Sequence, residues 1–158
     1  MAALLPTLVA TCFALSVGLL TPLVLIERPL WGLFWDVTSA NIKDTDARRI
    51  HSAIQVLAQA GGSIVLAAYG SSGTVLAVIQ AWHYGFYWAT VVCAMIAIVY
   101  NVYALCNREA VVKPYVKGTH LEDSELRVTV RKIVNFHFLG FVVFTVILLV
   151  QLVFVIGR

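Results

Sequence analysis

The sequence predicts an all-α integral membrane bundle of four transmembrane helices, and three observations support this prediction. Hydrophobic residues make up 61% of the 158 residues and charged residues only 12%, whereas soluble domains average about a quarter charged. All but one of the charged side chains lie in two windows, residues 27–49 and 108–132. The uncharged stretches 1–26, 50–107 and 133–157 have the length of one, two and one spans, since about 20 apolar residues cross a bilayer. The chain 1–158 is therefore expected to form a single four-span membrane domain.

The first two spans are placed by residues that interrupt the apolar runs. The first span is predicted at about 4–26, because the charged residues and proline at 27–29 follow it directly. The second is predicted at about 47–69, because the segment Gly-Ser-Ser-Gly at 70–73 is typical of a turn.

The third span is predicted to end near residue 106, and its start has two candidates. A helix beginning at residue 74 would be too long for an untilted span, so the aromatic cluster Trp82–Trp88 places the membrane entry near residue 85. In the alternative, Thr74–Ala81 continues the second helix through the bilayer. The fourth span is predicted at about 133–156, which leaves two charged loops at 27–46 and 107–132.

The basic residues predict an orientation. Ten of the eleven Lys and Arg side chains lie in or beside the two loops, and Arg158 is the exception. The positive-inside rule places both loops on the inner side and both termini on the outer side. The mitochondrial inner membrane is favoured over a bacterial plasma membrane, although both follow the same rule.

Small and polar residues at helical spacing predict the packing faces, because apolar burial does not drive helix association in lipid. The second helix is expected to be innermost, and its stripe either links helices or lines a pathway or quinone-like pocket. The first helix shows a similar stripe of small residues. The stripes are Thr7, Thr11, Ala14, Gly18 and Thr21 in helix 1, Ser52, Gln55, Gln59, Gly62 and Ser63 in helix 2, and Thr90, Ala94, Ala97, Asn101 and Ala104 in helix 3.

The sequence contains few residue patterns that could catalyse a reaction or bind a cofactor. No span is expected to carry Asp, Glu, Lys or Arg in its interior, which argues against a pump, a charge-coupled transporter or an ion channel. No catalytic or metal-binding motif is present, so the chain is predicted to be no enzyme and to hold no metal. His51 and His137 fall at similar depth, where they are either interfacial residues or the two ligands of a haem. No cofactor is predicted apart from structural lipids.

Aromatic side chains near the predicted span ends are expected to anchor the protein in the interface. The segment Arg28–Val37 is predicted to lie flat there, with a partner-docking surface as the alternative. The predicted anchors are Trp31, Trp35, Trp82, Tyr84 and Trp88.

Two segments carry a resemblance to a known family. The third helix ends in NVYALCNREAV (Asn101–Val111), and the fourth opens with RKIVNFHFLG (Arg131–Gly140). In this layout the chain resembles the copper-resistance-D-like four-helix membrane proteins, which implies a fold and transfers no site residues.

A second resemblance is to the claudin and peripheral-myelin tetraspan group, and it is carried by LWGLFWD (Leu30–Asp36) and DARRIHSAI (Asp46–Ile54). That group is disfavoured, because the cysteine pair expected after its first motif is missing.

These observations favour a non-catalytic accessory or structural subunit of a larger membrane complex, with an energy-transducing respiratory complex as the expected host. Its partners would be other integral membrane subunits and lipids, not nucleic acid. One alternative is a stand-alone small-solute or metal transport or resistance protein that uses Gln55 and Gln59 with His51 and His137. The other is a haem-bearing membrane anchor that uses the two histidines.

Overall fold

The computed structural model describes residues 4–36, 38, 42–117, 121 and 123–156, with the backbone alone at 116, 123 and 124. Arg158 lies outside them. The described residues are all-helical, and four of their helices are long and apolar enough to cross a membrane, which confirms the predicted class. The helices in chain order are α1 (Leu4–Glu27), a 3₁₀ helix (Arg28–Phe34), α2 (Asp44–Gln59), α3 (Gly62–His83), α4 (Trp88–Val111), α5 (Lys113–Lys117) and α6 (Asp123–Ile156).

The four long helices form a ring around a common core. Helix α1 packs against α3 and α6, and α4 packs against the same two helices, so that α1 lies diagonally opposite α4. Near the two ends of the chain, Nε2 of Gln151 donates a hydrogen bond to the carbonyl of Pro6, 3.1 Å away. The core of the ring is apolar and includes Phe13, Phe144 and Ile147.

A layer of shorter helices covers one end of the ring, which we call the charged end. The 3₁₀ helix, α2 and α5 form this layer, and α6 supports it. Helix α6 has 34 residues and is about 51 Å long at 1.5 Å per residue, so it extends well beyond a hydrocarbon core of about 30 Å. Leu30, Leu33 and Ile50 of the layer are buried against Val130 and Val134 of α6.

The predicted second span at 47–69 and its turn at 70–73 are wrong. Helix α3 continues through this segment and ends only at His83, which agrees with the alternative that kept Thr74–Ala81 in the helix. The two glycines serve packing: a Cβ at Gly70 would lie 3.2 Å from the Phe144 ring, and one at Gly73 would lie 3.1 Å from Cβ of Cys12. In lipid a broken helix leaves backbone groups without partners, so the helical conformation is favoured there.

The breaks between the helices lie on either side of α3. Gly61 has a φ of +89°, a left-handed conformation that ends α2 and that glycine adopts without steric cost. Gly85 and Phe86 both have a φ of +60° in the turn between α3 and α4. Helix α4 then begins at Trp88, close to the predicted membrane entry at residue 85. Helix α6 begins at Asp123, ten residues before the predicted span.

Helix α2 is not the innermost helix, contrary to the prediction. It is an amphipathic helix outside the ring, and its apolar face covers the charged end. Its outward polar face leaves Ser52 and Gln59 exposed and Gln55 half-buried, and Ser63 is half-buried at the start of α3. The glutamines with fully buried side chains are Gln80 and Gln151.

The predicted stripe of helix 3 does face the bundle interior. Thr90, Ala94 and Ala97 of α4 are buried. Nδ2 of Asn101 donates hydrogen bonds to the hydroxyl of Thr74, 2.6 Å away, and to the carbonyl of Ala97, 3.0 Å away. This amide therefore links α4 to α3 in a region where interhelical hydrogen bonds contribute to association.

We predict that Gly73→Leu opens the contact between α1 and α3. The added side chain would meet Cys12 and Phe13 at van der Waals distance or closer, and overpacking of this kind costs about 1–3 kcal/mol. Thermal unfolding of the detergent-solubilised protein measures the loss. Val75→Leu, at an exposed position of the same helix, is the matched control, and equal stability of the two variants would contradict the prediction.

Candidate functional site

The candidate site is a buried, hydrogen-bonded pair of Glu27 and His137 at the charged end. Nδ1 of His137 lies 2.6 Å from Oε1 of Glu27, and the Glu27 side chain is only 1% exposed. Glu27 is the last residue of α1, and His137 faces it from α6. Burial of a carboxylate is costly unless the charge is paired and hydrogen-bonded. The pair therefore fixes the end of α1 against α6.

The sequence analysis treated Glu27 only as the charged residue that follows the first span, whereas the structure makes it the buried last residue of α1. The candidate span that contains α1 runs to Phe34 and includes Glu27. The sequence did contain a signal. Glu27 continues the spacing of the buried residues Phe13, Leu20 and Val24 of α1, and positions four and seven apart share one face of a helix.

Two aromatic side chains of the layer contact each other at the charged end. Tyr115 of α5 is fully buried, and its ring centroid lies 4.8 Å from that of His51 in α2. Burial raises the pKa of the Tyr115 hydroxyl, and the negative charge of Glu27 raises it further. Burial lowers the pKa of His51, and the positive charge of Arg48 adds to this effect. Both side chains are therefore favoured in their neutral forms.

Arginines of α6 hold the layer in place. Arg127 donates from Nε to Asp44, 2.6 Å away, and from Nη2 to the carbonyl of Ile42, 2.8 Å away. Arg131 donates to the carbonyl of Phe34 at the end of the 3₁₀ helix, 3.1 Å away. The segment Arg28–Val37 thus folds against α6 over its described part instead of forming only a flat interfacial loop.

Trp31 belongs to this layer. Its ring lies 5.7 Å from that of Phe138 in an edge-on contact and 6.4 Å from that of Phe34. The other predicted anchors are at the surface, with Trp35, Trp82 and Trp88 exposed, while Tyr84 is half-buried against Phe154, 5.3 Å away. The structure contains no membrane, so their anchoring role stays a prediction.

The structure brings only part of the predicted site residues together. His51 and His137 both lie at the charged end, as expected, but each has its own neighbour, Tyr115 for His51 and Glu27 for His137. Gln55 and Gln59 lie on the outer helix α2. Among the described residues, no group of three His, Cys, Asp or Glu side chains is arranged to hold a metal ion. Haem ligation by the two histidines stays a prediction.

Comparison with known proteins does not assign the chain to a family. No protein-family model, no curated protein and no solved structure matches it.

We predict that Glu27→Ala destabilises the fold by about 3 kcal/mol, because removal of one partner leaves a buried, unpaired group. The double variant Glu27→Leu with His137→Leu should recover much of this loss, since apolar residues of similar size replace buried pairs at little cost. Thermal unfolding in detergent measures both.

The control removes an ion pair at the surface. Glu109 pairs with Lys113, and both side chains are substantially exposed, so Glu109→Ala should change the stability little. If Glu27→Ala and Glu109→Ala lowered the unfolding temperature equally, the prediction that the buried pair contributes more to stability than the surface pair would be wrong.

We also predict that His51 makes the protein less stable in acid. Its pKa is lower in the folded protein than in the unfolded chain, so the unfolded state binds more protons as the pH falls through about 6.5. Stability is therefore full above this pH and decreases below it. His51→Phe keeps an aromatic ring against Tyr115 and should flatten the stability profile between about pH 7.5 and about pH 5. Ser52→Ala, at the next position, should leave the slope of stability against pH as in the wild type. An unchanged slope in His51→Phe would show that His51 is not the source of the acid sensitivity.

Proposed function

We propose that this chain is a non-catalytic accessory or structural subunit of a larger membrane complex. The observation that carries the proposal is the outward face of α1 around Gly18, which has the composition of a helix interface, although a Cβ at Gly18 would meet no atom of the described residues within 4 Å. The predicted stripe of helix 1 forms this face. Thr7, Thr11, Ala14 and Gly18 are all exposed, and Thr21 is half-buried.

Gly18 differs from the other glycines within the long helices that pack in the ring. Side chains of neighbouring helices occupy the space at Gly70, Gly73 and Gly140, whereas a Cβ at Gly18 would meet nothing within 4 Å. Glycine in a helix interior costs about 1 kcal/mol relative to alanine. Internal packing does not account for this cost at Gly18, whereas a second helix could approach closely at such a position.

Pro22 adds a second feature to the same face. It lies inside α1, one turn after Gly18, and is exposed like Gly18. Proline has no N–H, so the carbonyl of Gly18 lacks its usual donor four residues later in the helix. Within a membrane such a carbonyl is satisfied by local adjustments or by a neighbouring polar group. A hydrogen-bond donor on a partner helix would satisfy it.

Helix α6 has an outward surface of the composition expected for contact with lipid. Its outward residues are bulky and apolar, among them Leu139, Val142, Val146 and Leu149. The small residues of α1 contrast with this surface. Helix α3, the least buried of the four candidate spans, has a second small outward group at Ala67, Ala68, Ser71 and Ser72.

The proposal includes an orientation and a location. Because the basic side chains lie at the charged end, we place that end on the inner side of the membrane and both termini on the outer side. We propose the mitochondrial inner membrane, with an energy-transducing complex as host, ahead of a bacterial plasma membrane. In either setting the partners are other integral membrane subunits and lipids.

We predict that Gly18→Leu weakens assembly without harming the fold. The position has room for a side chain within this chain, so the unfolding temperature should be unchanged or slightly raised. Association should weaken by about tenfold or more, which corresponds to about 1.4 kcal/mol. Native gel electrophoresis and co-purification from the native membrane in mild detergent measure association.

The matched control adds bulk at another outward position. Val99 of α4 is exposed, and Val99→Leu should leave both assembly and stability unchanged. A lone monomer for the wild-type chain after gentle extraction, or full co-purification of Gly18→Leu, would overturn the proposal.

A further inference from the structure

The turn between α3 and α4 holds Phe86 in a backbone conformation that is strained for a residue with a side chain. Gly85 and Phe86 both have a φ of +60°, and this left-handed region is free of steric cost only for glycine. The N–H of Gly85 donates to the carbonyl of Trp82, 3.2 Å away, and the next N–H donates to the carbonyl of Ala81, 2.8 Å away. This helix-ending motif requires only its first residue, Gly85, to be left-handed. Strained residues persist where the surroundings or a function maintain them, so the conformation of Phe86 needs a separate reason.

Packing within the chain does not supply that reason. Phe86 is 60% exposed, and its aromatic neighbour Trp82 is 75% exposed. The two ring centroids lie 5.7 Å apart in an edge-on contact. Both residues therefore present most of their surface outward, and exposed apolar clusters mark surfaces that meet a partner or a membrane.

The two rings continue the outward face of α3. Val75, Ile79 and Trp82 are all exposed, and their spacing places them on one face of the helix. Phe86 lies four residues beyond Trp82 and contacts it, so this face extends past the last helical residue, His83. The face is bulky and apolar here, like the outward surface of α6, whereas the small outward residues of α3 lie nearer the charged end. This composition is the one expected for contact with lipid chains.

The position of the turn gives the depth of the contact. Helices α3 and α4 are both candidate spans, and only residues 84–87 join them. Helix α3 is about 33 Å long at 1.5 Å per residue, close to the hydrocarbon core of about 30 Å, so the turn lies at the boundary between membrane and water. No Asp, Glu, Lys or Arg occurs between residues 50 and 107. A phenylalanine ring has no polar group, so at this boundary it favours the hydrocarbon side.

We propose that Trp82 and Phe86 form a lipid-binding site at the end of the ring opposite the charged end, and that its ligand is a phospholipid of the adjoining leaflet. Phe86 contacts the upper part of the acyl chains, and the indole N–H of Trp82 donates to an oxygen of the lipid at the boundary. The lipid contact offsets the strain in the turn. The predicted anchors included Trp82, and the structure adds Phe86 with the backbone conformation that directs it outward. This surface is separate from the α1 face around Gly18, so it does not depend on the proposed subunit role.

The first experiment places a photoreactive probe at the site. The full chain with Phe86→p-benzoylphenylalanine, which keeps an aromatic side chain, is irradiated in phosphatidylcholine nanodiscs and in native membranes. We expect a mass increase of one phospholipid in both. The control is Glu125→p-benzoylphenylalanine, at an exposed position in the first turns of the long helix α6, which should give several-fold less lipid adduct. Absence of a lipid adduct at residue 86, or its cross-linking to another protein in native membranes, would overturn the proposal.

The second experiment separates a role in lipid binding from a role in the fold. Phe86→Gly removes both the ring and the backbone strain, so the unfolding temperature in detergent should equal that of the wild type or exceed it. Native mass spectrometry should at the same time show several-fold less phosphatidylcholine retained by the variant. Val99→Ala, which shortens an exposed side chain of α4, is the control and should retain lipid like the wild type. Equal lipid retention in Phe86→Gly and the wild type, or a lower unfolding temperature of the variant, would overturn the proposal.

Discussion

The hydrogen bond between Glu27 and His137 is the interaction on which the charged end depends. Transfer of a carboxylate into an apolar span costs several kcal/mol, and a partner offsets this cost only at good geometry. The 2.6 Å contact between Oε1 and Nδ1 therefore determines where α1 ends relative to α6. Since the 3₁₀ helix follows Glu27 without a break, the same contact determines where the covering layer begins.

The layer in turn keeps the pair away from water. Tyr115 packs on His51 within the layer, and Arg127 and Arg131 hold the start of α2 and the 3₁₀ helix against the extended part of α6. This explains why an amphipathic helix precedes the second candidate span. Its apolar face packs against the charged end of the ring, and its polar face stays exposed.

Close packing in the ring depends on a different constraint. Apolar burial does not distinguish a neighbouring helix from lipid, so shape and interhelical hydrogen bonds hold the helices together. Gly70, Gly73 and Gly140 allow ring and aliphatic side chains of other helices to approach, and Asn101 links α3 to α4. Gly18 has the same chemical character but no such neighbour among the described residues, and that difference separates the inner faces from the proposed subunit interface.

The sequence alone determined the all-helical membrane class, the number of candidate spans and the positions of α1 and α4 to within a few residues. These features depend on the lengths of the apolar runs and on the positions of the charged residues between them, and both are properties of contiguous segments. Only the tertiary structure decided that Gly70–Gly73 is helical, that α2 lies outside the ring and that Glu27 pairs with His137. The turn prediction failed because the contacts that favour helix at Gly70 and Gly73 come from α6 and α1. Glu27 looked like the end of a span because its local neighbours are Arg28 and Pro29. Its partner His137 is 110 residues away in the chain, and no local pattern contains a contact of that separation.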